Sequence, residues 1–334
     1  MTLQTNKVTY IKPFQIENNI LELDNFRKYK YINCQNCTII KINNIFGGNI
    51  VEINCSNNQI KNFDGLPFKV YKLQCSHNKL INLDCLPKKL KYLDCSHNKN
   101  ITQLNNLPFE LEYLDCKNCN ISNLDYLPEK LKHLNCSYNN IRELLNLPLG
   151  LEVLICSGCE ILNFYYIPKN IKRFSCSANY KANFNFNNIN LEHFECNFCD
   201  IHKIIDILPK SVISIKLSNF IDSNKIIDLN KFEELKNIEL ISGVLNEIIF
   251  SKNIIDIKIT NTKLKKIYFN NSLPKNINFE KTIVIDGFSE LFPDSIENLI
   301  LNYSKNIKLN NIPLNLIKIS CIKTNITIPE KFKN

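Results

Sequence analysis

Nine cysteines rule this chain at a fixed interval. Cys34, Cys55, Cys75, Cys95, Cys116, Cys136, Cys156, Cys176 and Cys196 follow one another at steps of 21, 20, 20, 21, 20, 20, 20 and 20 residues. Self-similarity at such a period marks a repeat architecture, in which one copy cannot bury its apolar face alone and stacking makes the core continuous. A chain of 334 residues would otherwise pass on length for two globular domains. The period replaces that reading with one solenoid.

The surroundings of each cysteine repeat as well. The stretches "VYKLQCSHNKL" (70–80), "LKYLDCSHNKN" (90–100), "LEYLDCKNCNI" (111–121) and "LKHLNCSYNNI" (131–141) share L-x-x-L-x-C-x-x-N/C-x-L, the second placing its last apolar residue one position late, at Ile101. This resembles the leucine-rich repeat. Pro67, Pro87, Pro108, Pro128, Pro148, Pro168, Pro209, Pro274, Pro293, Pro313 and Pro329 each stand three residues before an apolar residue that, in all but the last, opens a copy; only Pro13 lies outside the scheme. Copies begin near Tyr29, Ile50, Val70, Leu90, Leu111, Leu131, Leu151, Ile171, Leu191 and Val212. Divergent ones begin near Leu235, Ile254, Ile277, Ile296 and Leu316, with Leu217, Leu240, Ile259 and Leu301 in place of cysteine. The copy at Ile171 departs at Lys181, and the copy at Ile277 departs at Glu280.

The resemblance implies an α/β-class repeat solenoid, mostly β: a leucine-rich-repeat horseshoe with a parallel sheet on its concave face and extended, polyproline-like convex returns. The Leu-Pro signature is similar to the short bacterial-type class. The Cys-Ser-x-Asn version, in an Ile/Asn/Lys-rich chain, is similar to leucine-rich-repeat proteins of giant, mimivirus-like amoebal viruses. That implies a protein of the infected host cell's cytoplasm, with packaging in the virion as a further option. Residues 1–28, with Phe14, Ile16, Ile20, Leu21 and Phe26, are expected to cap the core; 29–334 form the solenoid, regular over 29–211 and divergent over 212–334.

Period-2 alternation turns the fourth and sixth residues of each copy inward. The ninth position holds Asn58, Asn78, Asn98, Asn139 and Asn179, whose amides suit the backbone groups of a buried turn. This register bears on the Cys-x-x-Cys pairs at 34–37, 116–119, 156–159 and 196–199. Zinc needs four ligands at about 2.3 Å, whereas pairs two strands apart are separated by roughly 9–10 Å. The first cysteine is a buried apolar residue and the second a substitute for the turn asparagine. Redox dithiols sit at helix N-termini with lowered pKa, and no helix is expected here. No metal, cofactor or catalytic residue is therefore assigned. Cys85, on the return, is the one off-pattern thiol.

The formal charge is +9, but the lysines are scattered and no basic run marks a nucleic-acid surface. No apolar stretch approaches the roughly 18 residues of a membrane span. The start, "MTLQTNKVTYIKPF", lacks the apolar segment of a secretory signal, so fifteen cysteines imply reduced thiols inside a cell. Seven glycines form no phosphate-binding loop. What remains is recognition. Lys72, His77, Tyr92, Asp94, His97, Tyr113, Asp115, His133 and Tyr138 are expected on the concave face, where tyrosine among mixed polar groups anchors protein contacts. The same residues also read as a solvated sheet face. The expected function is a non-enzymatic module for an unidentified protein partner, host or viral; the alternative is a self-associating, architectural protein.

Overall fold

The computed structural model describes residues 8–10, 18–43, 48–179, 182–220, 226–286, 291–307, 309 and 311–324. Phe14, Ile16, Pro13, Pro329 and Lys181 lie outside them. The chain forms two compact units, Met1–Ile171 with Lys181–Asn183, and Lys172–Tyr180 with Phe184–Asn334.

In the first unit, short parallel strands stack in sequence order: Val8–Tyr10, Tyr31–Asn33, Glu52–Asn54, Lys72–Gln74, Tyr92–Asp94, Tyr113–Asp115, His133–Asn135 and Val153–Ile155. Each pairs in direct register with the next, as Leu73 with Leu93 and Leu93 with Leu114. The centre of each strand from Tyr31–Asn33 onward is buried and its flanks half-buried, because alternation sends one side chain to the core and two to the opposite face. Leu111, Leu114, Cys116, Ile121 and Leu124 are at most 2% exposed, and the next copy repeats them as Leu131, Leu134, Cys136, Ile141 and Leu144.

The sixth-position cysteines do more than fill space. Cys75 donates both its N–H (2.7 Å) and its thiol (3.2 Å) to the carbonyl of Asp94 on the next copy. Cys34, Cys55, Cys95 and Cys116 repeat the arrangement. Burial pushes the Cys55 thiol up to about 12. At the ninth position Asn58, Asn78, Asn98 and Asn139 are buried. Each amide donates to carbonyls of its own and the preceding copy, and its oxygen accepts a backbone N–H such as Ile60 or Leu80. Cys119 and Cys159 stand in for it, donating to the carbonyls of Cys95 (3.5 Å) and Cys136 (3.4 Å).

The prolines close the returns. The carbonyls of Pro67, Pro87, Pro108, Pro128 and Pro148 accept the N–H three residues on, at Val70, Leu90, Leu111, Leu131 and Leu151. Within the expected cap, Val8–Tyr10 pairs in parallel with Tyr31–Asn33, and Ile20–Glu22 with Lys41–Asn43. Leu21, Leu23 and Phe26 there are buried.

The second unit stacks Arg173–Ser175, His193–Asn197, Ser214–Ser218, Asn237–Ile241, Asp256–Thr260, Asn276–Glu280, Asn298–Ile300 and Lys318–Ser320 in the same way. Here three expectations need correction. The copy assigned to Ile277 begins at Pro274: Ile277 pairs with Ile257, so it fills the fourth position, and Phe279 the sixth. Pro274 is itself buried and does not close a turn before the copy. The return after Cys199 is an α-helix, Ile201–Ile207. Asp200 caps it by accepting from the N–H groups of His202 (3.1 Å) and Lys203 (3.2 Å), and Ile201, Ile204 and Ile205 face the core. Further on, the returns pair into a second parallel sheet of Ile226–Asp228, Val244–Ile249, Lys263–Tyr268 and Ile283–Val284. Those returns carry β-branched residues free to pair, among them Ile226, Ile227, Ile248, Ile249, Ile283 and Val284.

Candidate interaction surface

The face turned away from the core carries the third and fifth residues of each copy. In the first unit the third-position row runs Glu52, Lys72, Tyr92, Tyr113, His133. Tyr92 and Tyr113 stack with ring centroids 4.1 Å apart and planes 8° from parallel; Tyr113 and His133 stack at 4.2 Å. Lys72 closes one end of the stack, its Nζ 5.2 Å from the Tyr92 centroid and 3.8 Å from Glu52. Ring faces are thus spent on one another and ring edges point outward. Burial raises the Tyr92 and Tyr113 phenols above their usual value, so both are neutral donors at physiological pH.

The fifth-position row beside it runs Asn54, Gln74, Asp94, Asp115, Asn135. Asp94 accepts from Ser96 N–H (3.1 Å) and hydroxyl (2.7 Å). Asp115 accepts from Lys117 N–H (3.0 Å) and the Asn135 amide (2.9 Å). Burial lifts the Asp115 carboxyl above the ordinary aspartate range.

His77, His97 and Tyr138 sit elsewhere than expected. The strands end at the fifth position, and these residues occupy the eighth, in the turn beyond, where their N–H groups still donate to the carbonyls of Ser96, Lys117 and Ser157 on the next copy. Their φ values are 53°, 59° and 56°, in the left-handed region. The same position is left-handed at Asn36, Asn57, Asn118 and Gly158. Asn and Gly adopt that conformation readily, whereas other residues are held there at a cost of about 1–2 kcal/mol. The turn still places the histidines beside the sheet face: His77 and His97 stack at 4.1 Å, and Asn118 donates to His97 Nδ1 at 2.8 Å. Burial, with His77 and Lys117 nearby, holds the His97 imidazole below its usual pKa. Tyr138 is 55% exposed; its ring lies over Gly158, where a Cβ would be 2.7 Å away, and Lys117 Nζ lies 5.4 Å from the ring centroid. Lys117, Asn118 and Gly158 are members of this surface that sequence reasoning missed. The Asn and Gly at the eighth position were the available signal.

The second unit's face differs. Its fifth-position row alternates Glu195, Lys216, Glu239, Lys258, and Lys216 reaches both glutamates (3.2 and 3.8 Å) while Lys258 lies 2.6 Å from Glu239. That row satisfies itself. His193 lies on a strand of this unit.

The Cys-x-x-Cys at 196–199 does precede a helix, contrary to expectation. Yet contact with Cys196, burial and the neighbouring Asp200 push the Cys199 thiol up, against the thiolate that redox chemistry requires. Among the described residues no three His, Cys, Asp or Glu side chains are grouped to hold a metal ion. No helix among them is long and apolar enough to cross a membrane. Cys85 is exposed in a left-handed turn, φ 62°.

Parallel stacking at this period, inward Leu and Cys rows and a buried asparagine ladder define a leucine-rich-repeat solenoid. Solved structures agree. YopM of Yersinia pestis matches with a TM-score of 0.57 at 16% identity, over 82% of this chain and 83% of that one. YopM of Yersinia enterocolitica WA-314 matches with 0.50 at 18%, over 92% and 78%. The functional domain of InlJ from Listeria monocytogenes, described as including a cysteine ladder, matches with 0.50 at 17%, over 92% and 66%. These likenesses show the fold. No protein-family model matches the chain, and no curated protein does.

Proposed function

We propose that this protein is a non-enzymatic interaction module that holds a protein partner on the open sheet face of its first unit. The observation that carries this is the row Tyr92–Tyr113–His133, stacked edge-outward beside His77–His97, Asp94, Asp115 and Tyr138. Rigid aromatic edges lose little entropy on binding and combine apolar area with hydrogen-bonding tips. Replacing Tyr92, Tyr113 and Tyr138 by Ala leaves the circular dichroism spectrum intact and abolishes partner capture from a host-cell lysate. Unchanged capture refutes the reading.

The reduced, buried thiols and the similarity of the Cys-Ser-x-Asn copies to giant-virus repeat proteins support a cytoplasmic role in an infected host cell. Immunofluorescence that places the protein outside the cytoplasm overturns that part. A second reading, architectural self-association, draws on Phe68, Phe109 and Leu149, which follow prolines on alternate returns and are 63%, 63% and 77% exposed. Light scattering that is independent of concentration contradicts it.

A further inference from the structure

The two sulfurs of the Cys-x-x-Cys at 116–119 point opposite ways along the stack. Cys116 donates its thiol forward, to the carbonyl of Asn135 on the next copy (3.4 Å). Cys119 donates backward, to the carbonyl of Cys95 on the preceding copy (3.5 Å). Cys95 in turn directs its thiol forward, to the carbonyl of Asp115 (3.4 Å), on the copy that carries Cys119. The sulfurs that face each other are therefore those of Cys95 and Cys119, and the two thiols are in hydrogen-bonding contact. Cys136 and Cys159 repeat the contact further along the stack, with Cys159 Sγ 3.4 Å from the Cys136 carbonyl.

A cysteine in place of the ladder asparagine makes each pair. Where asparagine is kept, the carbonyls of Cys55, Cys75 and Cys116 meet the amides of Asn78, Asn98 and Asn139 instead. Cys199, before the helix, is in contact with Cys196 of its own copy. Within the pairs access is unequal: Cys119 and Cys159 are 7% and 5% exposed, whereas Cys95 and Cys136 have no exposed surface. The contact with Cys95 holds the Cys119 thiol below its usual pKa, and contact with Cys136 does the same for Cys159, while burial pushes Cys75 and Cys116 up. Thiolate character and access decide which cysteine is oxidised first.

We propose that Cys95–Cys119 and Cys136–Cys159 are peroxide-sensitive modification sites, each closing into a disulfide that joins adjacent copies. The Cys119 sulfur attacks hydrogen peroxide: an S–O bond forms, the O–O bond breaks, and the released hydroxide takes the Cys119 proton to become water. The Cys95 sulfur then attacks the sulfenic sulfur: the S–S bond forms, the S–O bond breaks, and the departing hydroxide leaves as water with the Cys95 proton. The two thiols lose two electrons and the peroxide gains them. The same steps run from Cys159 to Cys136. These sites do not depend on which partner the sheet face holds.

The test exposes the folded full chain to hydrogen peroxide, blocks the remaining thiols under denaturing conditions, and maps tryptic peptides by mass spectrometry without reductant. Cleavage after Lys91, Lys99, Lys117 and Lys130 puts Cys95, Cys116 and Cys119 on separate peptides. The expected products join Cys95 to Cys119 and Cys136 to Cys159, each with a loss of two hydrogens that dithiothreitol reverses, while Cys55, Cys75 and Cys116 stay free. Cys119→Asn restores the residue that other copies carry there, so the variant folds, and its Cys95 should remain reduced. Disulfides within the motifs, Cys116 to Cys119 or Cys156 to Cys159, overturn the proposal. So do sulfinic or sulfonic acid at Cys119 without a cross-link, no reaction at either pair, or oxidation of Cys95 in the Cys119→Asn variant. The same mixture of products from folded and urea-unfolded chains also overturns it, since the stack then directs nothing.

Discussion

Replacing Asn98 by Ala removes four hydrogen bonds from a side chain with no exposed surface. Its amide donates to the carbonyls of Cys75 (3.0 Å), Cys95 (2.8 Å) and Ser96 (3.3 Å), and its oxygen accepts from Leu80 N–H (3.0 Å). An orphaned Leu80 N–H costs about 1–3 kcal/mol and each of the two short amide bonds about 0.5–1.5, so the sum is about 2–6 kcal/mol. Asn98→Cys should cost about half of that, because the thiols of Cys119 and Cys159 already donate from the same position. Urea unfolding followed by circular dichroism ranks the variants. Long repeat arrays lose two-state cooperativity, so hydrogen exchange at the Leu80 amide supplies the local value. Its protection should fall about a hundredfold or more in the alanine variant. A loss below about 1 kcal/mol, or equal losses for Ala and Cys, refutes the asparagine ladder as the element that ties copy to copy.

Maleimide labelling of the folded protein should modify Cys85 in a fast phase that Cys85→Ser abolishes, while the buried ladder cysteines react only after denaturation. His97 binds fewer protons folded than unfolded, because its pKa is lowered. The stability present at neutral pH is therefore lost as pH falls below about 6.5, and His97→Asn flattens that slope in melting temperature against pH; an unchanged slope contradicts the assignment. A methyl group at Gly243 would lie 2.1 Å from the buried Phe220 ring. Gly243→Ala should cost about 2–3 kcal/mol in urea unfolding, and Phe220→Leu should recover part of it.

How much of this was legible differs between the two units. In the first, Leu, Cys, Asn and Pro recur with the stack, so the inward rows, the asparagine ladder and the strand register follow from spacing. The third-position row was legible because alternation assigns Tyr92, Tyr113 and His133 to one face. His77, His97 and Tyr138 were misplaced, because a left-handed φ is invisible when the residue is neither Asn nor Gly. Pro274 misled the register by filling an inward position instead of closing a turn. The helix at 201–207 had a signal in Asp200, in the spacing of Ile201, Ile204 and Ile205, and in Pro209 beyond its end, and the period obscured it. The ring stacking and the hydrogen bonds of Asp94 and Asp115 depend on rotamers and neighbours, which one-dimensional spacing does not contain.

A photo-crosslinking amino acid placed at single positions, and irradiated in the lysate from which a partner is captured, tests the binding face most directly. At Tyr113 or His133 the account predicts a discrete crosslinked band, and none at Phe109 or Leu149 on the returns. Crosslinking from Phe109 or Leu149 alone would contradict it.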